Sequence, residues 1–328
     1  MASPNLTELV TTTLRDRQGE LADNVSKSNA LLSRLNEAGQ IDLVDGGRTI
    51  VRELEYAENS TFMYYSGYET LNISPSDVFS AAEYEWKQAA VNVSWSGLEN
   101  RIQNAGDAAS IRLVASRIRN AEKTMANQIS VGIYSDGTGT GGKQITGLQA
   151  QVADTPTTGT VGGINRANFS FWQNQTVTVD DSASATELNA DMRDLWIACS
   201  RGAETPNLIV FGAALYDTFW GDLQGIQRVT STGAGAGIKG FTSLEYRGVP
   251  VLLDGGQATG SALDHGGGLN TNRGYFLNTE YLFWSVHSQT NMVPMDERMS
   301  VNQDATVVPL LWAGNLTMSN ASLQGVLV

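Results

Sequence analysis

The longest periodic signal in the chain constrains it most. From Gly106 to about Ile133, the apolar residues Ile111, Val114, Ile118, Ala121, Met125 and Ile129 recur at spacings of three or four, behind Asp107 as an N-cap. At 1.5 Å per residue, the helix they predict is a rod of roughly 40 Å. It runs into a glycine-rich stretch, GTGTGGK at residues 137–143, and a different kind of sequence precedes it. Between Arg48 and Gly97, the stretches RTIVRELEYAENSTFMYYSGYETLNIS and AEYEWKQAAVNVSWSG are rich in β-branched and aromatic residues, with the turn signals of SPSDV between them. They predict a hairpin of two long strands. So few strands are marginal alone, so the hairpin must lie on another surface, and a second subunit is the natural one. The candidate contact residues are Phe62, Tyr64, Tyr65 and Tyr68 near its tip, with Trp86 and Trp95 on the returning strand. The competing possibility for each is packing against its own domain.

Upstream, residues 5–38 predict two short amphipathic helices. Leu6, Leu9, Val10 and Leu14 mark the first; the second, SKSNALLSRLNEAG, opens on serine caps and ends at Gly39. Their apolar stripes are thin, as in an arm that docks on something else. Downstream the signals alternate irregularly. A helix at 186–200, a strand at NLIVFG and a helix at 213–223 are followed by strands at SLEYRGVPVLLD and GYFLNTEYLFWSVH. In the final stretch, TVVPLLWAGNLTMSNASLQGVLV, Gly314 and the NLT and NAS segments are expected to bracket turns. Helices and strands in this order indicate an α+β chain.

The composition excludes several functions. The longest apolar run, residues 208–215, is far short of a membrane span, and the beginning MASPNLTELV has no secretory pattern. One cysteine, Cys199, allows no intrachain disulfide and no thiolate zinc cluster. A formal charge of −13 argues against a general nucleic-acid binder, whose affinity comes from Lys and Arg releasing counterions.

The inventory for catalysis is thin: two histidines, His265 and His287, and the one cysteine. Cys199 lies at helical spacing from Met192, Leu195 and Trp196, as a buried small hydrophobe does. Gly137, Gly142 and Lys143 match phosphate-loop spacing, yet Gln144 stands where Ser or Thr would hold magnesium, and a helix precedes the loop where a strand is needed. GAGIKG at 235–240 precedes a strand rather than a helix, and HGGG at 265–268 has no GxSxG elbow to serve. No catalytic, cofactor-binding or metal-binding residue is assigned.

Several stretches in order are similar to the major capsid protein of tailed bacteriophages, with the Hong Kong 97-type coat fold. They are YEWKQAAVNVSWSGLENRIQNAG leading into the long helix, DGTGTGGKQITGLQAQV, TVGGINRANFSFW, NLIVFGAALYDTF, YRGVPVLLD, GYFLNTEYLFWSVH and WAGNLTMSNASLQGVLV. The resemblance implies an N-terminal arm over 1–47 and an extended β-hairpin loop over 48–98. It further implies a peripheral domain with the long spine helix over 99–161, an axial domain over 162–277, and strands returning to the peripheral domain over 278–328. It also implies pentamers and hexamers closing into an icosahedral shell around double-stranded DNA, assembled in the bacterial host cytoplasm, with a portal protein among the partners. Since 47 residues precede the hairpin, a separate scaffolding protein is expected rather than a fused one. Lys87 lies away from the hairpin tip, so an isopeptide cross-link of the kind some relatives form is not expected. The alternatives are an encapsulin-like nanocompartment shell and a nucleotide-dependent enzyme using Lys143.

Overall fold

The computed structural model describes residues 29–98, 107–179, 185–226, 244–254, 268–299 and 302–328. The first described element, α1 (Ala30–Glu37), is capped by Asn29, not by a serine; its side chain accepts from the Leu32 amide at 3.0 Å. Leu31, Leu32 and Leu35 are buried in the main core of the same chain. Then β1 (Ile41–Val44) pairs in parallel with β12 (Leu282–Pro294). Residues 29–44 are therefore packed on their own subunit's body, a correction to the expected arm that docks on something else. The stripe is thin, but three fully buried leucines each contribute about 1.5–3 kcal/mol of apolar burial, enough to hold one short helix. The helix expected before it lies outside the described residues.

The region 48–98 forms three strands instead of two. β2 (Ile50–Glu55) and β3 (Phe79–Tyr84) make an antiparallel ribbon, while residues 56–78 between them pair with no strand. After Glu85 and Trp86 the chain enters β4 (Lys87–Ser96), which leaves the ribbon and pairs along its whole length with β14 (Ala305–Met318). The order β1, β12, β14, β4, with β13 (Arg298–Met299) pairing the start of β14, makes a five-stranded sheet. The long helix is present as α2 (Asp107–Ile133). Ile118 and Ala121 pack on Val93, Trp95 and Val308, while Met125, Ile129 and Ile133 continue into the main core. The side chains of Ile111 and Val114 lie outside the described set.

A glycine loop follows α2 and leads to the single turn α3 (Leu148–Gln151) and a small hairpin, β5 (Thr160–Val161) with β6 (Ile164–Asn165). The second, six-stranded sheet runs β7 (Gln175–Val177), β15 (Gly325–Leu327), β11 (Gly274–Leu277), β8 (Leu208–Phe211), β10 (Val249–Leu253), β9 (Leu244–Tyr246). β8 and β11 are buried at every residue, because both faces of the sheet are covered. α4 (Ala185–Ala198) and α5 (Ala213–Ile226) lie on one face, and the main core lies on the other.

Three further expectations are corrected. SLEYRGVPVLLD is the hairpin β9–β10, turning at Arg247 and Gly248 with φ of 51° and 80°, a positive-φ pair that suits a tight two-residue turn. GYFLNTEYLFWSVH breaks at Asn278, whose side chain accepts from the Glu280 amide and sends β11 and β12 to different sheets. Gly314 lies within β14 and not at a turn. A Cβ there would stand 2.6 Å from the Ser285 carbonyl oxygen and 2.7 Å from the Trp312 ring, so glycine permits the close approach of β12. Residues 278–328 accordingly divide: β12 and β14 build one sheet, and the final β15 joins the other.

Candidate assembly surface

The β2–β3 ribbon is two-faced because strand side chains alternate. Ile50, Leu54, Ala82 and Tyr84 are buried against the body, and Val51, Glu53, Glu55, Phe79 and Glu83 point out. Its root is fixed by Arg52. One Nη2 donates to Asp42 Oδ2 at 2.8 Å and to Ser285 Oγ at 2.7 Å, Nε donates to Thr317 Oγ1 at 3.0 Å, and the guanidinium lies 4.3 Å from the Phe283 ring centre. On the neighbouring strand, the Tyr84 hydroxyl donates to the Met318 carbonyl at 3.1 Å, and its phenol is pushed well up by burial. Gly162, at φ 59°, closes over this root; its carbonyl accepts from the Glu83 amide, and a Cβ there would stand 2.9 Å from the Ala82 Cβ.

Beyond the root the ribbon opens into residues 56–78, tied at the neck by Ser60 and Ser76, whose hydroxyls lie 3.3 Å apart. This segment holds the four tip aromatics in solvent. Phe62 is 75% exposed, Tyr64 91%, Tyr65 63% and Tyr68 108%, with Phe62 edge-on to Tyr64 at 5.2 Å. The two tryptophans sit elsewhere. Trp95 is 5% exposed and packs in its own chain between β4, α2 and β14, so it is a core residue and not a contact. Trp86 is half-buried; its indole N–H donates to the Gly47 carbonyl at 3.0 Å and its ring lies edge-on to His287 at 5.7 Å. The six candidates thus divide into four exposed at the tip, one half-buried below the root and one in the core. The alternation of Ala89, Val91, Val93 and Trp95 with Gln88, Ala90, Asn92 and Ser94 is the sequence signal that could have placed Trp95 inward.

Sequence reasoning missed a cleft of about 490 Å³ at the root, lined by Glu53, Glu55, Tyr56 and Glu58 from the ribbon and by Arg201 and Tyr281 from the body. On its wall Tyr281 donates to Glu204 at 2.5 Å, and Arg201 holds the other oxygen of that carboxylate at 2.6 Å. The tyrosine hydrogen bond first, then the guanidinium, keeps the Glu204 carboxyl below its ordinary range.

The other candidates for chemistry have structural roles. The loop at 137–143 connects α2 to a single turn, so it lacks the strand and following helix that aim a phosphate loop; Lys143 is exposed on it. Lys87 donates to the Gly142 carbonyl at 2.7 Å and to Glu85 at 3.1 Å, and pins this loop to the start of β4. Cys199 is buried, which pushes its thiol up to about 12. His287, expected at a strand end, lies within β12, where the pairing with β14 shifts register between Val286 and Asn291, and its Nδ1 accepts from the Gln289 amide at 3.2 Å. His265 and the GAGIKG stretch lie outside the described residues. Among the described residues no group of three or more His, Cys, Asp or Glu is placed to hold a metal, and no helix is long and apolar enough to cross a membrane.

No protein-family model and no curated protein sequence matches the chain. Solved structures do. A chain of the cyanophage A-1(L) capsid asymmetric unit superposes with a TM-score of 0.60 at 15% identity, covering 89% of this chain and 92% of that one. The capsid of an empty GTA particle gives 0.53 at 12% identity, covering 88% of each chain. A chain of Gordonia phage Cozz gives 0.52 at 14% identity, with 88% of this chain and 82% of that one covered. An α+β body of two sheets, a long helix and a projecting ribbon, matched over nearly nine-tenths of its length, is the fold of phage capsid proteins.

Proposed function

We propose that this chain is the structural subunit of an icosahedral viral shell, a major capsid protein that assembles into pentamers and hexamers and encloses double-stranded DNA. The observation that carries this reading is the ribbon tip: on a body with a capsid-protein fold, four aromatic side chains stand in solvent, uncovered by any of the described residues of their own subunit. Exposed aromatics in a contiguous group mark an interaction surface. Assembly, not catalysis, is then the activity. Each subunit makes several weak contacts at once, and effective concentration multiplies them into a stable shell. Heterologous contacts that close by rotation give the rings. The charge of −13 suits a container that holds DNA without gripping it, since a strongly basic lining would slow entry and exit. The partners in this picture are further copies of the chain, a separate scaffolding protein and a portal, and the destination is the virion.

The test is size. The purified chain, alone or with phage scaffolding protein, is expected to give capsomers or shells by negative-stain electron microscopy and sedimentation velocity. Deleting residues 60–66 is expected to leave the subunit folded and stop assembly. A chain that stays a 35.2 kDa monomer under all these conditions refutes the proposal.

A further inference from the structure

The tip and the root of the ribbon are chemically complementary. We infer that the aromatic tip of one copy docks in the root cleft of the next, a head-to-tail contact that builds on the shell function proposed above by naming its receiving surface. On the tip, the hydroxyls of Tyr64, Tyr65 and Tyr68 have no hydrogen-bond partner among the described residues. At the cleft, the carboxylates of Glu53, Glu55 and Glu58 are exposed and likewise have neither an ion pair nor a hydrogen bond among the described residues. Three phenol donors therefore face the choice of water or three carboxylate acceptors, and phenol-to-carboxylate bonds are of the strong, charge-assisted kind. The cleft wall already contains one such bond, Tyr281 to Glu204.

The charge distribution selects the tip over every other part of the ribbon. Residues 59–76 contain a single charged residue, Glu69, and its carboxylate is engaged by the Ser66 amide at 3.1 Å. The root, by contrast, carries six acids, Glu53, Glu55, Glu58, Asp77, Glu83 and Glu85, against three cations, Arg48, Arg52 and Lys87, of which Arg52 is bound to Asp42 and Lys87 to Glu85. Two roots repel each other, whereas a nearly neutral tip enters an acidic cleft with little repulsion and supplies donors to it. The apolar part of the contact has a floor as well. Tyr56 on the cleft is stacked on Phe171 at 5.4 Å, and the adjoining Phe169 is 47% exposed. Ring faces from the tip meet ring faces at the root. Because tip and root are different surfaces of the same chain, the contact is heterologous, the type that closes into rings.

Intermolecular cross-linking tests this directly. The only native cysteine, Cys199, is fully buried and does not compete. Full-length Tyr64→Cys and Glu55→Cys chains are assembled as a mixture and mildly oxidised. The expected product is a band at twice the 35.2 kDa of the chain, about tenfold stronger in the mixture than with either variant alone. A Tyr64→Cys with Ile197→Cys mixture is the comparison, since Ile197 is 61% exposed on α4. Assembled shells that give no tip-to-root link, or link to Ile197 as well as to Glu55, overturn the contact and leave the shell function standing. Failure of the unaltered chain to assemble refutes the shell function itself. A second measurement uses no cysteine. Replacing Tyr64, Tyr65 and Tyr68 together by Phe keeps the rings and removes the donors, and is expected to raise the concentration needed for assembly by about tenfold or more. Unchanged assembly by that folded variant overturns the hydroxyl-to-carboxylate pairing.

Discussion

Arg52 is where the projecting ribbon is joined to the body, and removing it separates anchoring from packing. Arg52→Ala deletes hydrogen bonds to Asp42, Ser285 and Thr317 and the contact with Phe283. The bonds to the two buried hydroxyls come from a charged donor in a site where water is scarce, and would contribute about 1–1.5 kcal/mol each. Asp42 is 41% exposed and regains water when the arginine leaves, so that pair contributes only about 0.5 kcal/mol. The ring contact adds about 0.5–1 kcal/mol. Two effects oppose these: Ser285 and Thr317 lie 3.0 Å apart and satisfy each other, and a partly desolvated guanidinium is relieved. The net expectation is a loss of about 2–3 kcal/mol. It is read as a lower urea midpoint at unchanged slope, with faster amide exchange confined to residues 50–55 and 79–84. Arg52→Lys should recover less than half of the loss, because one ammonium cannot reach both the Thr317 side and the Asp42 side that Nε and Nη2 serve. A loss below about 0.5 kcal/mol, or full recovery by Lys, would refute the claim that the guanidinium fork fixes the ribbon.

Gly314→Ala should cost about 3 kcal/mol, because the new methyl meets a backbone oxygen that cannot move without breaking the β12–β14 ladder. The control is Gly221→Ala on α5, where a Cβ meets nothing within 4 Å and the helix should gain up to about 1 kcal/mol; equal midpoints for the two variants would contradict the close strand approach. Alkaline titration probes the buried phenols. Burial pushes Tyr275 up to about 12, Tyr84 higher still, and Tyr134 well up with help from its Asp254 partner. Folded tyrosines therefore keep protons that unfolded ones release above pH 10, so the stability they contribute is intact below pH 10 and falls as pH rises beyond it. With three such groups the slope approaches about 4 kcal/mol per pH unit between pH 10 and 12, and a urea midpoint flat across that window would disprove it.

How much of this was legible in the sequence depended on whether a residue's partner was nearby in the chain. α2 could be read because its stripe repeats within itself, and β8 because LIVF is apolar at every position and must be covered twice. The stretch from Tyr56 to Ile73 has strand composition and yet forms no ladder, since strand propensity acts through neighbours and this segment has no partner strand among the described residues. Composition could not separate Tyr64 from Trp95 for the same reason. Trp95 is buried by α2 and by β14, whose partnering residue Thr306 is more than two hundred positions away. The cleft was invisible because it joins Glu53, Arg201 and Tyr281, three distant segments with no shared pattern.

The acidity of the ribbon is informative only once its placement is known. Spread evenly, that charge would keep every part of one ribbon away from every other. Concentrated at the root, with a tip whose only charged residue is held by its own turn, it disfavours root-to-root pairing and leaves the root open to the tip. The same asymmetry disfavours tip-to-tip association, because tyrosine hydroxyls gain most from charged acceptors and Glu69 is the only carboxylate of residues 59–76. A chain that exposes four aromatics risks unspecific aggregation. Acidic strands on both sides of those aromatics restrict what can approach them, so the charge that excluded several functions at the level of composition acts here as the selector of a single geometry.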